Sequence, residues 1–411
     1  MLVASIDLMN GKAVQLRQGK DFVLQSERDP VDLAREFNRY GEIAVIDLDA
    51  AMGKGDNREL LKKICKVADA RVGGGIRDVA TGRELLKAGA RALIFGTMAR
   101  PEILSQFPHE RVMVALDHRN EEIVDHGWQE STGENIWDRA ARLSPYCGSF
   151  LITFVEHEGG LGGMPRERVA GIKEKVQRPV TVAGGIATTE EIVAISQMGL
   201  DVQVGMALYT GKVNPVDAVV GSINFEKSNL VPTIVKDEQG QTLMLAYSSP
   251  ESLRKALTEG KGIYYSRSRQ ELWEKGATSG STQKLISCRV DCDRDTLLFT
   301  VAQEQGACHN GTYSCFGQAT SGREFSLPVL FELLKSRKEE LPEGSFSAKM
   351  FKDRRKLMKK IVEEAHEVVT YTDQDNLRWE IADLIYFASL LAVDEGIEWS
   401  EIQSELAGRS K

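Results

Sequence analysis

The chain is predicted to be multidomain, with an eight-stranded (β/α)8 TIM barrel, then an α+β module, then an all-α helical module. Three observations predict this. Short apolar strands alternate with helix-like segments in the first half. A set of motifs recurs inside that half at a nearly fixed offset. The pattern then changes twice, first to clustered strands and then to helical periodicity. At 411 residues the chain is too long for one ordinary domain, and the boundaries are placed at 1–223, 224–321 and 322–411.

In the first segment, Leu2–Leu8, Ile43–Leu48, Ala92–Phe95, Val112–Leu116, Phe150–Phe154, Val180–Ala183 and Val202–Val204 read as strands. Pro30–Tyr40, Arg58–Val67, Thr81–Ala88 and Glu190–Gln197 read as helices, with Asp78 and Thr188 at N-cap positions. Ser5-Ile6-Asp7 reappears as Ala115-Leu116-Asp117, and Gly74-Gly75-Ile76 as Gly184-Gly185-Ile186, both at an offset of 110 residues. Gly96-Thr97-Met98-Ala99 has a counterpart in Gly205-Met206-Ala207, off by one from that offset. A unit repeated twice in this length suits a barrel of two half-barrels; a doubly wound sheet would leave the duplication unexplained.

Composition narrows the function. Hydrophobic residues make up 42% and charged residues 27%, the balance of a soluble globular protein. A net charge of −8 argues against general nucleic-acid binding but leaves room for small anionic substrates held locally. No apolar run is long enough to span a bilayer, and the N-terminus lacks a signal-peptide pattern, so no membrane association and a cytoplasmic location are expected. Four of the six cysteines cluster between Cys288 and Cys315, which in a reducing compartment points to metal rather than disulfides.

In the middle segment, Val231–Val235, Thr242–Tyr247, Gly262–Ser266, Lys284–Val290 and Leu297–Val301 read as strands. One helix interrupts them, capped by Ser249, with Pro250 in its first turn and Gly260 at its end. If Asp291-Cys292-Asp293-Arg294-Asp295 is extended, Asp291, Asp293 and Asp295 share one face and suit magnesium, while Cys292 points to the other. Cys292, Cys308 and Cys315 supply three thiolates, the ligand count of a catalytic zinc, and the adjacent His309 is expected either as the general base or to orient the water. Cys288 is expected in the core. Ser266, Arg267, Ser268 and Arg269, then Trp273 and Lys275, then Ser279, Gly280 and Gln283 offer guanidiniums, hydroxyls and open amides to a phosphate. The strings YYSRSRQELWEKGATSGSTQK, DCDRD and CHNGTYSCFG resemble phosphoribosyl-AMP cyclohydrolase over about 90 residues. The resemblance implies hydrolytic opening of a purine ring with zinc and magnesium on the residues named. It also implies a homodimer through this module, with zinc ligands from two subunits.

In the last segment, Leu330, Leu333 and Leu334, and then Leu384, Ile385 and Leu391, have helical spacing, with a polar turn at 339–344. Glu363, Glu364 and Glu367 can share a helix face, and Glu380 and Asp383 repeat the spacing on the next helix. Set among Ile361, Val362, Ala365, Val368, Ile381 and Ile385, these carboxylates would be embedded in apolar surface and could cage magnesium against a polyphosphate. His366 is placed on the surface. The pattern EExxE then ExxD resembles the all-α, MazG-like nucleotide pyrophosphohydrolases. Leu341–Ser347 and Lys359-Lys360-Ile361 are similar to phosphoribosyl-ATP pyrophosphohydrolase in particular, with Ser345-Phe346-Ser347 where that family has Ser-Tyr-Thr. The implied catalytic residues are Glu364 and Glu367, and the implied product is the substrate of the middle segment.

Asp7 and Asp117 end equivalent barrel strands, one per half, and make a general acid and base pair at one mouth. Gly74, Gly75, Gly184 and Gly185, with Gly96, Thr97 and Gly205, either present amides to two phosphates or merely form tight turns; their pairing favours phosphate. IDLMNGKAVQLRQG, VIDLDAAMGKGDN, VGGGIRD, VALD, GWQESTG and AGGI resemble the phosphoribosylformimino-aminoimidazole carboxamide ribotide isomerases. That resemblance implies an Amadori rearrangement, with Asp7 as base, Asp117 as acid, and Thr153 and Arg17 in the site. Where many members have Arg-Asp-Gly-Thr this chain has His157-Glu158-Gly159-Gly160, which keeps the carboxylate on a longer arm at Glu158. The expectation is a trifunctional enzyme of histidine biosynthesis acting on phosphorylated ribotides. The alternative is a bifunctional cyclohydrolase and pyrophosphohydrolase whose barrel serves only binding or dimerisation.

Overall fold

The computed structural model describes residues 1–125, 127–128, 130–317, 323–407 and 409. The expected boundary at 321/322 lies outside them. The chain forms two compact units, Met1–Gly322 and Arg323–Arg409.

Eight parallel strands open the first unit: β1 (Leu2–Met9), β2 (Ile43–Asp47), β3 (Ala70–Gly73), β4 (Ala92–Phe95), β5 (Val112–Arg119), β6 (Ser149–Phe154), β7 (Val180–Ala183) and β8 (Asp201–Val204). They run in the order β6-β7-β8-β1-β2-β3-β4-β5, and β5 pairs back with β6, so the sheet closes into the expected barrel. β3 is absent from the expected strands. It is only four residues long and carries a charge, Arg71. That guanidinium lies at the N-terminal end of the strands against Glu42 (2.7 Å), Asp201 (3.0 Å) and Thr181 (2.6 Å). Val3, Ala44, Ile94, Met113, Leu151 and Ala183 pack inside the barrel, a filled interior rather than a pore. Asp78 and Thr188 cap their helices as expected, Thr188 through a capping box with Glu191.

The α+β part contains β9 (Val231–Asp237), β10 (Thr242–Ser248), β11 (Ile263–Ser266), β12 (Glu271–Glu274), β13 (Gln283–Val290) and β14 (Leu297–Gln303). Four of these form a sheet in the order β10-β9-β14-β13, and β11 and β12 form a separate hairpin. The helix Pro250–Glu259 begins at Ser249, whose hydroxyl accepts from the Ser252 amide (3.1 Å), and ends at Gly260 with φ 68°.

This sheet and the barrel share one continuous core. The Cys288 amide donates to the Arg39 carbonyl (3.0 Å), and the Arg39 guanidinium donates to the Leu257 carbonyl (3.2 Å). Arg289 reaches the Asn38 carbonyl (3.0 Å), the Asn38 side chain (2.7 Å) and Asp69 (2.6 Å). Arg254 pairs with Asp217. Cys288, 1% exposed, is the core residue expected, and it lies beside this seam.

The second unit contains α1 (Leu327–Glu340), α2 (Phe346–Lys352), α3 (Arg354–Val369), α4 (Gln374–Asp394) and α5 (Trp399–Ala407). Its separate core gathers Phe331, Leu334, Met350, Leu357, Phe387, Leu390 and Val393. One expectation holds only in part: Glu364 is embedded, at 3% exposure, but several of the apolar residues named around the carboxylates are not buried. Val362, Ile381 and Ile385 are 69%, 42% and 43% exposed, and Ala365 and Leu333 are exposed too. Neighbours of a helical residue point about 100° away from it, so apolar residues adjacent in sequence to the carboxylates do not wall them in. No helix among the described residues is long and apolar enough to cross a membrane.

Candidate active sites

The barrel mouth gathers three carboxylates. Asp117 and Thr153 are partners in the β5–β6 register, and the Thr153 side chain hydrogen-bonds Asp117. The Trp128 indole N–H donates to the Asp117 carboxylate (2.8 Å), and the Ser5 hydroxyl donates to Asp7 (3.2 Å). Glu158 follows β6, and its carbonyl accepts from the Gln18 amide (3.3 Å), which ties its turn to the loop after Arg17. Burial pushes the Asp7 carboxyl up to about 6, with the Ser5 bond pulling the other way. It also raises Asp117, against hydrogen bonds from Thr153 and Trp128. Glu158 is pushed up to about 7, first by burial and then by the charges of Asp7 and Asp117. Expected residues Asp7, Asp117 and Glu158 therefore share one electrostatic site, as catalytic acids and bases do. Trp128 was not singled out, although it stands in the quoted string GWQESTG.

The paired glycines have a packing role. A Cβ on Gly74 would come within 2.2 Å of the Asp47 backbone, one on Gly75 within 2.4 Å of Ala50, and one on Gly184 within 2.5 Å of the Phe154 carbonyl. Gly185 would meet His157 at 2.8 Å and Gly205 the Gln15 side chain at 2.5 Å. Tight βα packing thus accounts for these five. Gly96 differs: it has open space around it, so nothing in the fold demands a glycine there.

The acidic triplet is not extended. β13 ends at Val290 and β14 begins at Leu297, and the residues between form a tight turn. The Asp291 carboxylate accepts from the amides of Asp295 (3.0 Å) and Thr296 (3.1 Å), and Arg294 takes φ 63°. Aspartate folds a chain this way because its short side chain replaces a ladder partner. Strand alternation therefore does not orient Cys292. The three carboxylates still converge, with ligand oxygens within 4.8 Å of one another, and the Lys227 ammonium reaches Asp295 (2.8 Å) and Asp293 (3.4 Å). A cation thus fits against them.

Cys308 and Cys315 come together as a hydrogen-bonded pair. The Asn310 amide, then the Thr312 hydroxyl, hold the Cys308 thiol below its usual range; burial, then the Cys308 charge, raise Cys315. Cys292 is exposed, and among the described residues it does not join them in a three-ligand group within one chain. His309 is exposed beside Cys308. Lys275, 7% exposed, donates to the Ser281 carbonyl (3.3 Å) and lies close enough to feel both thiols. Arg267 stacks on Tyr247 (3.9 Å), and Arg269 folds back onto Ser266 (3.3 Å) and Glu271 (3.3 Å). Ser268, Ser279 and Gly280 are exposed and Trp273 is half-buried. Gln283 does not line a ligand surface. It is 3% exposed, and its amide is committed to the Tyr264 hydroxyl (2.7 Å) and to Gln303 (2.7 Å).

In the helical unit Glu364, Glu367 and Glu380 bring carboxylate oxygens within 4.8 Å of one another. Glu364 is 3% exposed and pairs with Lys360 (3.1 Å). Like charge from Glu380, Glu364 and Glu363, after burial, raises Glu367. Glu363 is exposed and turns to Lys360 (3.1 Å), while Asp383 sits one turn beyond Glu380; neither belongs to the three. His366 is exposed, as expected.

A closed barrel with acids at its mouth, joined to a thiol-and-carboxylate module and a carboxylate-bearing helical unit, defines a multifunctional enzyme. The family model for histidine biosynthesis proteins matches residues 1–214, more than half the chain. Models for phosphoribosyl-AMP cyclohydrolase and phosphoribosyl-ATP pyrophosphohydrolase match residues 244–317 and 327–410. The chain belongs to the histidine biosynthesis protein family, and its three parts correspond to the isomerase, cyclohydrolase and pyrophosphohydrolase of that pathway. A bifunctional HisIE protein from Pyrococcus furiosus is 40% identical over 207 residues, 48% of this chain and 99% of that protein. An imidazole-4-carboxamide isomerase from Methanosphaera stadtmanae is 34% identical over 53% of this chain and 98% of its own length. A trifunctional histidine biosynthesis protein from Neurospora crassa is 44% identical over 181 residues, but this chain spans only 20% of it. The barrel assignment therefore rests on the first family model and the isomerase relative. The cyclohydrolase and pyrophosphohydrolase families use metal ions.

Proposed function

We propose that the chain performs three successive steps, in domains 1–223, 224–321 and 322–411, taken in reverse order along the sequence. The helical unit hydrolyses phosphoribosyl-ATP to phosphoribosyl-AMP and pyrophosphate. The middle module opens the purine ring hydrolytically, and the barrel converts the resulting aminoaldose to an aminoketose. Free thiols at all six cysteines are consistent with a reducing cytoplasm.

The observation that carries the barrel step is the shared site of Asp7, Asp117 and Glu158. Asp117, held up by burial, can deliver a proton to the ring oxygen as the sugar opens. Asp7, with a carboxyl near 6, is ionised at neutral pH and can take the proton from C2. Glu158, held up to about 7 by burial and then by the charges of Asp7 and Asp117, completes the acidic cluster. Phosphate contacts are assigned to Arg17, Thr97 and the backbone around Gly96, where the chain is open, with Gly74, Gly75, Gly184, Gly185 and Gly205 shaping the loops.

The sulfur set Cys308 and Cys315, completed by Cys292 of a second copy in a homodimer, suits zinc. Asp291, Asp293 and Asp295 suit magnesium, and so do Glu364, Glu367 and Glu380, with Glu363 and Asp383 on the same two helices. Zinc would supply water acidified toward neutrality, and magnesium charge neutralisation for phosphates. His309, exposed beside Cys308, is assigned the role of general base or of orienting the water. Substrate and phosphate contacts in this module are assigned to Ser266, Arg267, Ser268, Arg269, Trp273, Lys275, Ser279 and Gly280.

Supplying phosphoribosyl-ATP to the purified protein with zinc and magnesium tests the reading. The aminoketose is expected to accumulate; a reaction halting at the aminoaldose would leave the barrel without a catalytic role.

A further inference from the structure

Glu380, Asp383 and Phe387 recur at helical spacing along one face of α4, with seven residues from Glu380 to Phe387. That is two turns, roughly 10 Å. An aromatic ledge closes the Phe387 end. The Phe346 ring, at the start of α2, stacks on Tyr386 (6.4 Å, 29°) and meets Phe387 edge-on (6.1 Å, 69°). Tyr386 also lies edge-on to Phe387 at 5.4 Å. The Tyr386 hydroxyl is pinned to the Ser347 hydroxyl at 2.7 Å, and the Ser345 hydroxyl caps α2 by accepting from the Ala348 amide at 3.3 Å. The ledge is thus rigid, yet Phe346 remains 49% exposed. Lys360 links it to the acidic cluster, its ammonium 5.8 Å from the Phe387 ring centre and 3.1 Å from Glu364.

We propose that Phe346, backed by Tyr386, is the platform on which the purine ring of the pyrophosphohydrolase substrate stacks while its polyphosphate reaches Glu364, Glu367 and Glu380. This rests on the assignment of the helical unit to phosphoribosyl-ATP hydrolysis. A flat apolar face held by two neighbouring rings binds a flat base with little loss of side-chain freedom. Two helical turns of α4 separate Phe387, which the Phe346 ring meets, from Glu380, room for the ribose and first phosphate that separate a base from the bond to be cleaved. The interaction is indifferent to base-edge chemistry, because every base has a π-face.

The test uses the full-length protein with magnesium and two probe inhibitors: AMP, which has a base, and inorganic tripolyphosphate, which has none. Phe346→Leu keeps an apolar side chain and removes the ring. It is expected to raise the KM for phosphoribosyl-ATP and the inhibition constant of AMP about tenfold, with kcat and tripolyphosphate inhibition changed less than about twofold. Phe346→Tyr is expected to restore both, and Phe346→Trp to tighten AMP. Unchanged AMP inhibition in a Phe346→Leu protein with native circular dichroism would overturn the proposal. So would a parallel loss of tripolyphosphate inhibition, weaker AMP binding in Phe346→Trp, or a changed oligomeric mass, which would make the ring an interface residue. Failure of the parent protein to release pyrophosphate would instead remove the underlying assignment.

Discussion

Glu158 shows how a single residue trades stability against chemistry. Its carboxyl titrates near 7 in the fold, because burial and the charges of Asp7 and Asp117 oppose ionisation, whereas an unfolded glutamate titrates near 4.3. Its folded form therefore holds the proton more tightly, and the stability this gives is present below the unfolded value and lost as pH rises through about 7. Glu158→Gln, which cannot ionise, is expected to raise stability at pH 8 by roughly 1–2 kcal/mol and to change it little at pH 4. Thermal melts at the two pH values check this; an equal shift at both would rule out ionisation as the cause. Asp7 sets the rate profile. As a base with a carboxyl near 6, it should make aminoketose formation rise with pH through about 6. The apparent value will belong to the coupled cluster rather than to Asp7 alone. Asp7→Asn should abolish that step while leaving pyrophosphate release intact. Asp7 and Asp117 were legible because their strands are duplicated in the sequence. Trp128 was not, because its bond to Asp117 depends on how a loop folds back.

Among the elements, the loop after β7 depends on one acid. The Glu191 carboxylate accepts from the amides of Met164 (3.0 Å), Ala187 (2.9 Å) and Thr188 (3.2 Å), fastening two loops at the C-terminal end of the strands. Glu191→Ala leaves those donors without a partner and should cost about 2 kcal/mol, with faster amide exchange around Gly163 and Met164. Exchange unchanged there would show that the loops hold without it. Caps such as Asp78, Thr188, Ser249 and Gly260 were legible because capping is local chemistry. The acidic triplet was legible as a cluster and misread as a strand. Alternation describes extended chain, but Asp291 bonds to its own downstream amides and bends it. β3 went unread because Arg71 breaks its apolar run, and only barrel closure brings Glu42, Thr181 and Asp201 to meet that charge.

At the scale of the whole molecule, the two units have separate cores. Leu390 is fully buried in the second, and Leu390→Ala should cost about 2–5 kcal/mol there. Pyrophosphate release should become heat-labile while aminoketose formation from its own substrate keeps its thermal midpoint. Equal loss of both would show that the units melt together. Joining the barrel to the α+β sheet was beyond sequence reading, since it depends on contacts such as Arg289 with Asp69, 220 residues apart.

The seam between barrel and sheet also sets an order of manufacture. A ribosome releases the barrel first, when the Arg39 carbonyl and the Asp69 and Asp217 carboxylates still await Cys288, Arg289 and Arg254. For that interval the nascent barrel presents an unfinished flank, and the protein completes it with the next stretch of its own chain.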